Sequence, residues 1–191
     1  MTLLNRPLLP KTLLRILLSF AVLAISRLPP CAAQELRPVS FELNVGAGFG
    51  RSSAEFGPSQ GASVDILLGF RPGRAAGGFV IAASGSGQAF GVHFDCDIVP
   101  GGSCTPEFPD FWILSALVGW ETGNGRARVL VGPALATSSS NQVGAAQARL
   151  ELAQPVASHF ALLASARFGY IPKYRDESFR LASIGIGFRL R

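Results

Sequence analysis

Between Ser40 and Arg51 the chain reads S-F-E-L-N-V-G-A-G-F-G-R, with Phe41, Leu43, Val45, Ala47 and Phe49 on one parity and Glu42, Asn44, Gly46, Gly48 and Gly50 on the other. Strand side chains alternate faces, so this segment forms a ribbon with one wholly apolar face and one polar or empty face. A ribbon of that kind needs an apolar medium on one side only. The same pattern recurs seven more times, which limits the chain to a closed or stacked all-β architecture. The pattern predicts an eight-stranded antiparallel up-and-down transmembrane β-barrel with its apolar face turned outward.

The seven further strands are expected at 62–71, 78–84, 111–121, 126–136, 144–153, 159–171 and 179–190. In the second, Val64, Ile66, Leu68 and Phe70 share the outer parity; in the fourth, Trp112, Leu114, Ala116, Val118 and Trp120 do. Tryptophan at both ends of an apolar band is what a bilayer interface selects. A soluble barrel with an apolar ligand inside would need charged residues on this outer parity, where the sequence is aliphatic and aromatic. Pro133, in the fifth strand, lacks an amide donor and a closed barrel has no edge to hide it, so a bulge or a local ladder break is expected there. The connections after strands one, three, five and seven read as longer or more polar, those after two, four and six as short turns. That alternation is the signature of extracellular loops against periplasmic turns, with both termini in the periplasm.

The first 33 residues read as a targeting segment. Arg6, Lys11 and Arg15 make a basic start, Ile16 to Ser26 an apolar run, and Cys31-Ala32-Ala33 a small-residue cleavage site, the order of a cleaved secretory signal peptide. The apolar run is well short of the ~20 residues that a membrane-spanning helix needs. Leu28-Pro29-Pro30 before Cys31 is a poor match to a lipobox. Residues 34–191 are then a single barrel domain. Four of the 17 Lys and Arg fall before residue 34 and all 12 Asp and Glu after it, which leaves that domain at +1. The basic balance of the whole chain is thus a property of the signal and does not indicate a nucleic-acid-binding face.

The segment from about Gly85 to Asp110 is the longest irregular stretch expected, and it holds Cys96 and Cys104, an even pair that in an exported chain reads as a disulfide. His93, Asp95, Asp97, Glu107 and Asp110 crowd the same stretch, yet their spacing matches no metal-ligand pattern. Ser84, Ser86, His93 and Asp95 make a Ser-His-Asp constellation conceivable, but no catalytic motif surrounds them or His159. Neither a phosphate loop nor a cofactor motif is visible.

Inside the barrel the same parity rule places Glu42, Asp65, Arg71, Arg126, Arg128, Arg149, Glu151, Arg167 and Arg189. Buried charges must pair or stay wet. Pairing of strands five and six sets Arg128 opposite Glu151, and closure of strand eight on strand one brings Arg189 to Glu42. An eight-stranded barrel is just wide enough for side chains to fill, so these residues form either a plug or the lining of a narrow pore.

Taken together, the signal segment, eight alternating strands, glycine-rich inner parity, the Val131-Gly132-Pro133-Ala134-Leu135 segment and the closing strand near Phe188 resemble the small outer-membrane barrels of Gram-negative bacteria, the OmpA-like and OmpW-like group. The resemblance implies residence among outer-membrane lipid and assembly by the outer-membrane insertion machinery. That machinery usually reads a terminal aromatic residue, for which Phe188 stands in ahead of Arg189-Leu190-Arg191. The function expected is structural or surface interaction, non-enzymatic, with an extracellular ligand met through the 85–110 segment. A narrow channel for ions or small solutes is the alternative, and a lipid-modifying enzyme the less favoured one.

Overall fold

A computed structural model describes residues 38–53, 58–72, 77–90, 108–139, 141–174 and 176–191. Eight strands follow one another in sequence: β1 (Val39–Ser52), β2 (Ser59–Phe70), β3 (Gly78–Phe90), β4 (Phe111–Glu121), β5 (Ala127–Ser138), β6 (Asn141–Ala157), β7 (Phe160–Tyr174) and β8 (Glu177–Leu190). Each pairs antiparallel with the next, and β8 closes on β1 to make a barrel without an edge. The chain is an eight-stranded antiparallel up-and-down transmembrane barrel, and the outer and inner parities are those set by the sequence. One end, the termini end, carries the start of β1 and the end of β8; the other is called the far end.

The outer face carries a broad apolar band: Trp112 is 65% exposed, Leu114 64%, Trp120 61% and Ile186 70%. Aromatic residues ring that face at two levels. Phe41, Phe70, Phe79 and Trp120 lie exposed toward the termini end, where Phe160 and Phe188 stack at 5.9 Å; Trp112, Phe168 and Tyr170 lie toward the far end. Trp112 and Trp120 are eight residues apart on β4. At ~3.3 Å per residue and a tilt of about 40°, that separation is about 20 Å along the barrel normal, close to the ~25 Å apolar band of outer-membrane barrels.

Several strands run past the limits expected from sequence. β3 continues from Ser84 to Phe90, so Gly85 to Phe90 are strand and not part of an irregular stretch as expected. Gly85 and Gly87 hide this extension because they sit on the outer parity without side chains. Gly87 pairs with Trp112, whose ring lies 3.1 Å from where a Cβ would stand, so the indole of β4 covers the gap in β3. β6 continues through Gln154 and Pro155, the expected turn, and absorbs the proline at a register shift between Pro155 and Ala157. β7 likewise passes Pro172 with a shift between Ile171 and Tyr174. The polar connections expected at 137–141 and 172–177 shrink to 139–140 and 175–176, with Ser139 and Asp176 in the left-handed region at φ 53° and 65°.

These extensions remove the alternation of long and short connections. The far end has connections 53–58, 91–110, 139–140 and 175–176, the termini end 71–77, 122–126 and 158–159, and only 91–110 stands out in length. Polar residues that read as loop are strand residues beyond the apolar band. At Pro133 the ladder break is present: β4 and β5 pair at Ser115↔Ala134 and again at Val118↔Val131, in one register and with no pair between, while the β5–β6 ladder runs through Pro133↔Ala146. The amide that proline lacks therefore faces β4. Next to it, a Cβ on Gly132 would collide with the Ala116 carbonyl oxygen, so glycine is what lets the two strands approach there.

Candidate functional site: a lumen closed at two levels

The only space in which an eight-stranded barrel can hold a solute or pass one is its interior, and here inward side chains fill it. The half nearer the termini holds a network of guanidinium and carboxylate groups. Glu42 on β1 is its hub: Arg128 Nη1 donates to Glu42 Oε1 at 2.6 Å and Arg189 Nε donates to the same oxygen at 2.7 Å. Arg149 Nη2 reaches Glu42 Oε2 at 3.5 Å. Glu151 on β6 shares the same three arginines, with Arg189 Nη2 at 2.6 Å, Arg128 Nη1 at 3.5 Å and Arg149 Nε in direct contact. Deeper along the barrel, Asp65 on β2 binds Arg149 and, at 3.2 Å, Arg167 Nη1.

Register explains these contacts. Glu42 faces Arg189 across the closing seam, Arg128 faces Glu151, and Arg149 faces Arg167, a like-charged pair that Asp65 bridges from the opposite wall. Glu42 and Glu151 are fully buried and Arg189 is 1% exposed. Charges so deep cost several kcal/mol each in desolvation unless each is met by an opposite charge with good geometry, and the shared arginines meet that requirement.

Two groups at the termini end were not among the charges assigned to the interior from sequence. Glu121, the end of the fourth strand as expected, is the last residue of β4 and lies on the inner parity of Ile113, Ser115 and Leu117. It takes Arg189 Nη1 at 3.1 Å, Arg128 Nη2 at 3.5 Å, Arg71 Nη1 at 3.8 Å and Arg191 in direct contact. Arg191 follows Arg189 by two and so points the same way. The parity that identified Glu42 and Arg189 also identifies both, had it been carried to the strand ends. Arg126 departs from its expected place: it lies in the turn before β5, half-buried, and offers its carbonyl to the Ala153 amide at 2.6 Å.

Toward the far end the filling changes character. Phe90, Phe111, Ile113, Ile171, Tyr174, Phe179 and Leu181 form a buried cluster across the barrel with Phe108 packed on it. The rings meet edge to face, Phe90–Phe108 at 4.6 Å, Phe111–Phe179 at 5.4 Å and Phe111–Tyr174 at 5.4 Å, the arrangement that aromatic quadrupoles favour. Asp110, considered above among possible metal ligands, accepts the Phe90 amide at 2.7 Å and so ties the end of β3. Between the charged and aromatic layers lie small polar residues, including Ser84, Ser86, Ser115 and Gln147. Among the described residues, Asn44 and Arg167 have buried polar atoms without partners beside a polar cavity of about 10 Å³, room for about one water.

The serines of the conceivable hydrolytic group, Ser84 and Ser86, point into this filled interior, with Ser86 Oγ donating to the Ile113 carbonyl at 3.4 Å. His93, Asp95, Cys96, Asp97, Cys104 and Glu107 lie outside the described residues. His159 is exposed in the turn between β6 and β7.

The fold and its outward apolar face define a small outer-membrane-type barrel. Neisserial surface protein A is similar at a TM-score of 0.56 and 15% identity, over 81% of this chain and 97% of that one. Ail, the attachment invasion locus protein of Yersinia pestis, aligns at 0.45 and 14% identity, over 81% and 100%, and the N-terminal barrel domain of Pseudomonas aeruginosa OprF at 0.39 and 16%, over 78% and 97%. No protein-family model and no curated protein sequence matches the chain. The architecture is that of the small eight-stranded outer-membrane barrels, and at this level of identity the likeness speaks to fold alone.

Proposed function

We propose that the chain is an integral outer-membrane barrel with a closed interior, serving as a structural or surface-presenting protein and not as a conduit or an enzyme. The observation that carries this reading is the double closure of the lumen, by the Glu42, Glu151 and Arg189 network in one half and the Phe90, Phe111 and Phe179 cluster in the other. An ion crossing the barrel would have to break buried ion pairs and displace packed rings in series. In the same reading, cleavage after Ala33 releases residues 34–191 to the insertion machinery, the termini face the periplasm, and the connection 91–110, stapled through Cys96 and Cys104, is the exposed feature available to an extracellular ligand.

Planar-bilayer recording tests the closed interior. Purified protein is expected to insert without producing discrete conductance steps, and regular unitary steps that vanish when Arg149 is replaced would favour the channel reading instead. Unchanged membrane glycolipid on overexpression is the matching expectation for a protein without lipid-modifying activity.

A further inference from the structure

Among the described strand residues, the charges on the outward-facing side are Arg51, Lys173 and Arg180, all cations and all at the far end. Lys173 pairs with Asp176 at 3.1 Å. Arg51 and Arg180 are different: they are direct cross-strand partners at the seam between β1 and β8, both exposed, and neither meets a carboxylate among the described residues. Like charges directly opposite on one face of a sheet, with Cβ atoms about 5 Å apart, destabilise it unless an anion lies between them.

The surface beside them is shaped. One row toward the barrel middle, Phe168, Ala182 and Phe49 are aligned across β7, β8 and β1, so that the small Ala182 forms a floor between two aromatic walls. Tyr170, partner of Arg180, flanks the cations. These residues line a groove of about 580 Å³ on the outside of the barrel. In the next row toward the barrel middle, Ala47 and Ala166 flank Ile184. The cations thus stand level with Tyr170 at the outer margin of the aromatic girdle, at headgroup height, with the Ala182 trough on their side toward the apolar band.

We infer that Arg51 and Arg180 clamp a phosphate of an acylated, phosphorylated sugar lipid of the outer leaflet, with one acyl chain lying in the Ala182 trough between Phe49 and Phe168. Guanidinium forks bind phosphate oxygens in pairs, and two of them across a seam fit a single phosphate held between strands. The complementarity is double, cation to phosphate and trough to chain, and the juxtaposition offers nothing comparable to a soluble anion, which would leave the trough empty. The leaflet assignment rests on the proposed orientation with the far end outward.

Native mass spectrometry of the detergent-solubilised protein tests the site directly, with a diphosphorylated acylated glucosamine disaccharide as the probe and the same lipid stripped of phosphate as its control. The wild type is expected to hold one probe molecule at least tenfold more tightly than the control lipid. The R51Q/R180Q variant is expected to lose that preference, R51K/R180K to keep part of it, and Ala182→Phe, which fills the trough and leaves the cations, to weaken the probe as well. Heat-shifted gel migration verifies that each variant is folded. Equal binding of both lipids, or binding indifferent to both arginines in a folded variant, overturns the site. An epitope inserted between residues 139 and 140 reports orientation separately: antibody access on intact cells supports the outer leaflet. A hidden epitope with arginine-dependent binding intact overturns the leaflet and the orientation, not the clamp.

Discussion

Replacing Glu42 by glutamine keeps the outline of the side chain and removes the negative charge that three arginines share. Glu42 Oε1 accepts from Arg128 at 2.6 Å and from Arg189 at 2.7 Å, while Oε2 faces Arg149 at 3.5 Å. Hydrogen bonds to charged groups contribute about 1.5–3 kcal/mol each, and neutral ones roughly half that, so the two short bonds alone lose about 1.5–3 kcal/mol. The charge balance adds to this. Six arginines, Arg71, Arg128, Arg149, Arg167, Arg189 and Arg191, face four carboxylates, Glu42, Asp65, Glu121 and Glu151, and the variant raises the surplus of cations from two to three. Breaking a buried pair costs about 3–5 kcal/mol. An overall loss of about 3 kcal/mol is therefore expected for E42Q. Urea unfolding of protein refolded into phospholipid vesicles measures it, followed by the fluorescence of Trp112 and Trp120, both on the lipid face. A double-mutant cycle with Arg189→Leu should return a coupling above about 1 kcal/mol. Stability within about 0.5 kcal/mol of wild type, the range of ordinary surface substitutions, would refute the network as a source of stability.

Ala116→Arg places a charge midway between Trp112 and Trp120 on the outer parity and should cost about 2–4 kcal/mol in vesicles, whereas a barrel with a solvated exterior would tolerate it. Gly132→Ala drives a methyl group into the Ala116 carbonyl oxygen, a backbone atom that cannot give way, and should cost several kcal/mol or prevent refolding, read from the folded fraction on an unboiled gel. Because the two closures act in series, E42Q alone and Phe179→Ala alone should stay non-conducting in planar bilayers, and only the combined variant should show steps. Cys96 and Cys104 should resist a thiol reagent in the protein isolated from membranes and react after reduction, with mass spectrometry as the readout.

The architecture was legible because parity survives at almost every strand position: Phe41 to Phe49 and Trp112 to Trp120 give the outer face, and Glu42, Arg128, Glu151 and Arg189 the inner one. What the sequence concealed were strand ends. Gly85 and Gly87 look like loop until Trp112 is seen lying over the second of them, a cross-strand contact that no local pattern records. Pro155 and Pro172 look like stops, yet each sits beside a register shift that accommodates it. The ends mattered for the site too. Glu121 and Arg191 complete the charge network from the last position of the expected fourth strand and one position past the expected eighth, and Phe90 and Tyr174 bring strand extensions to the aromatic closure. The pairing of Arg51 with Arg180 depends on the β1–β8 register, which follows from barrel closure and from nothing local to either strand.

The central claim, a closed barrel with an apolar exterior, is tested most directly by fractionating cells and comparing the gel migration of the membrane-fraction protein with and without boiling. Recovery in the outer-membrane fraction, with faster migration before boiling than after, is the expected result. Recovery in the soluble periplasmic fraction with identical migration in both samples would contradict it, since the exposed Trp112, Leu114, Trp120 and Ile186 could not then face lipid.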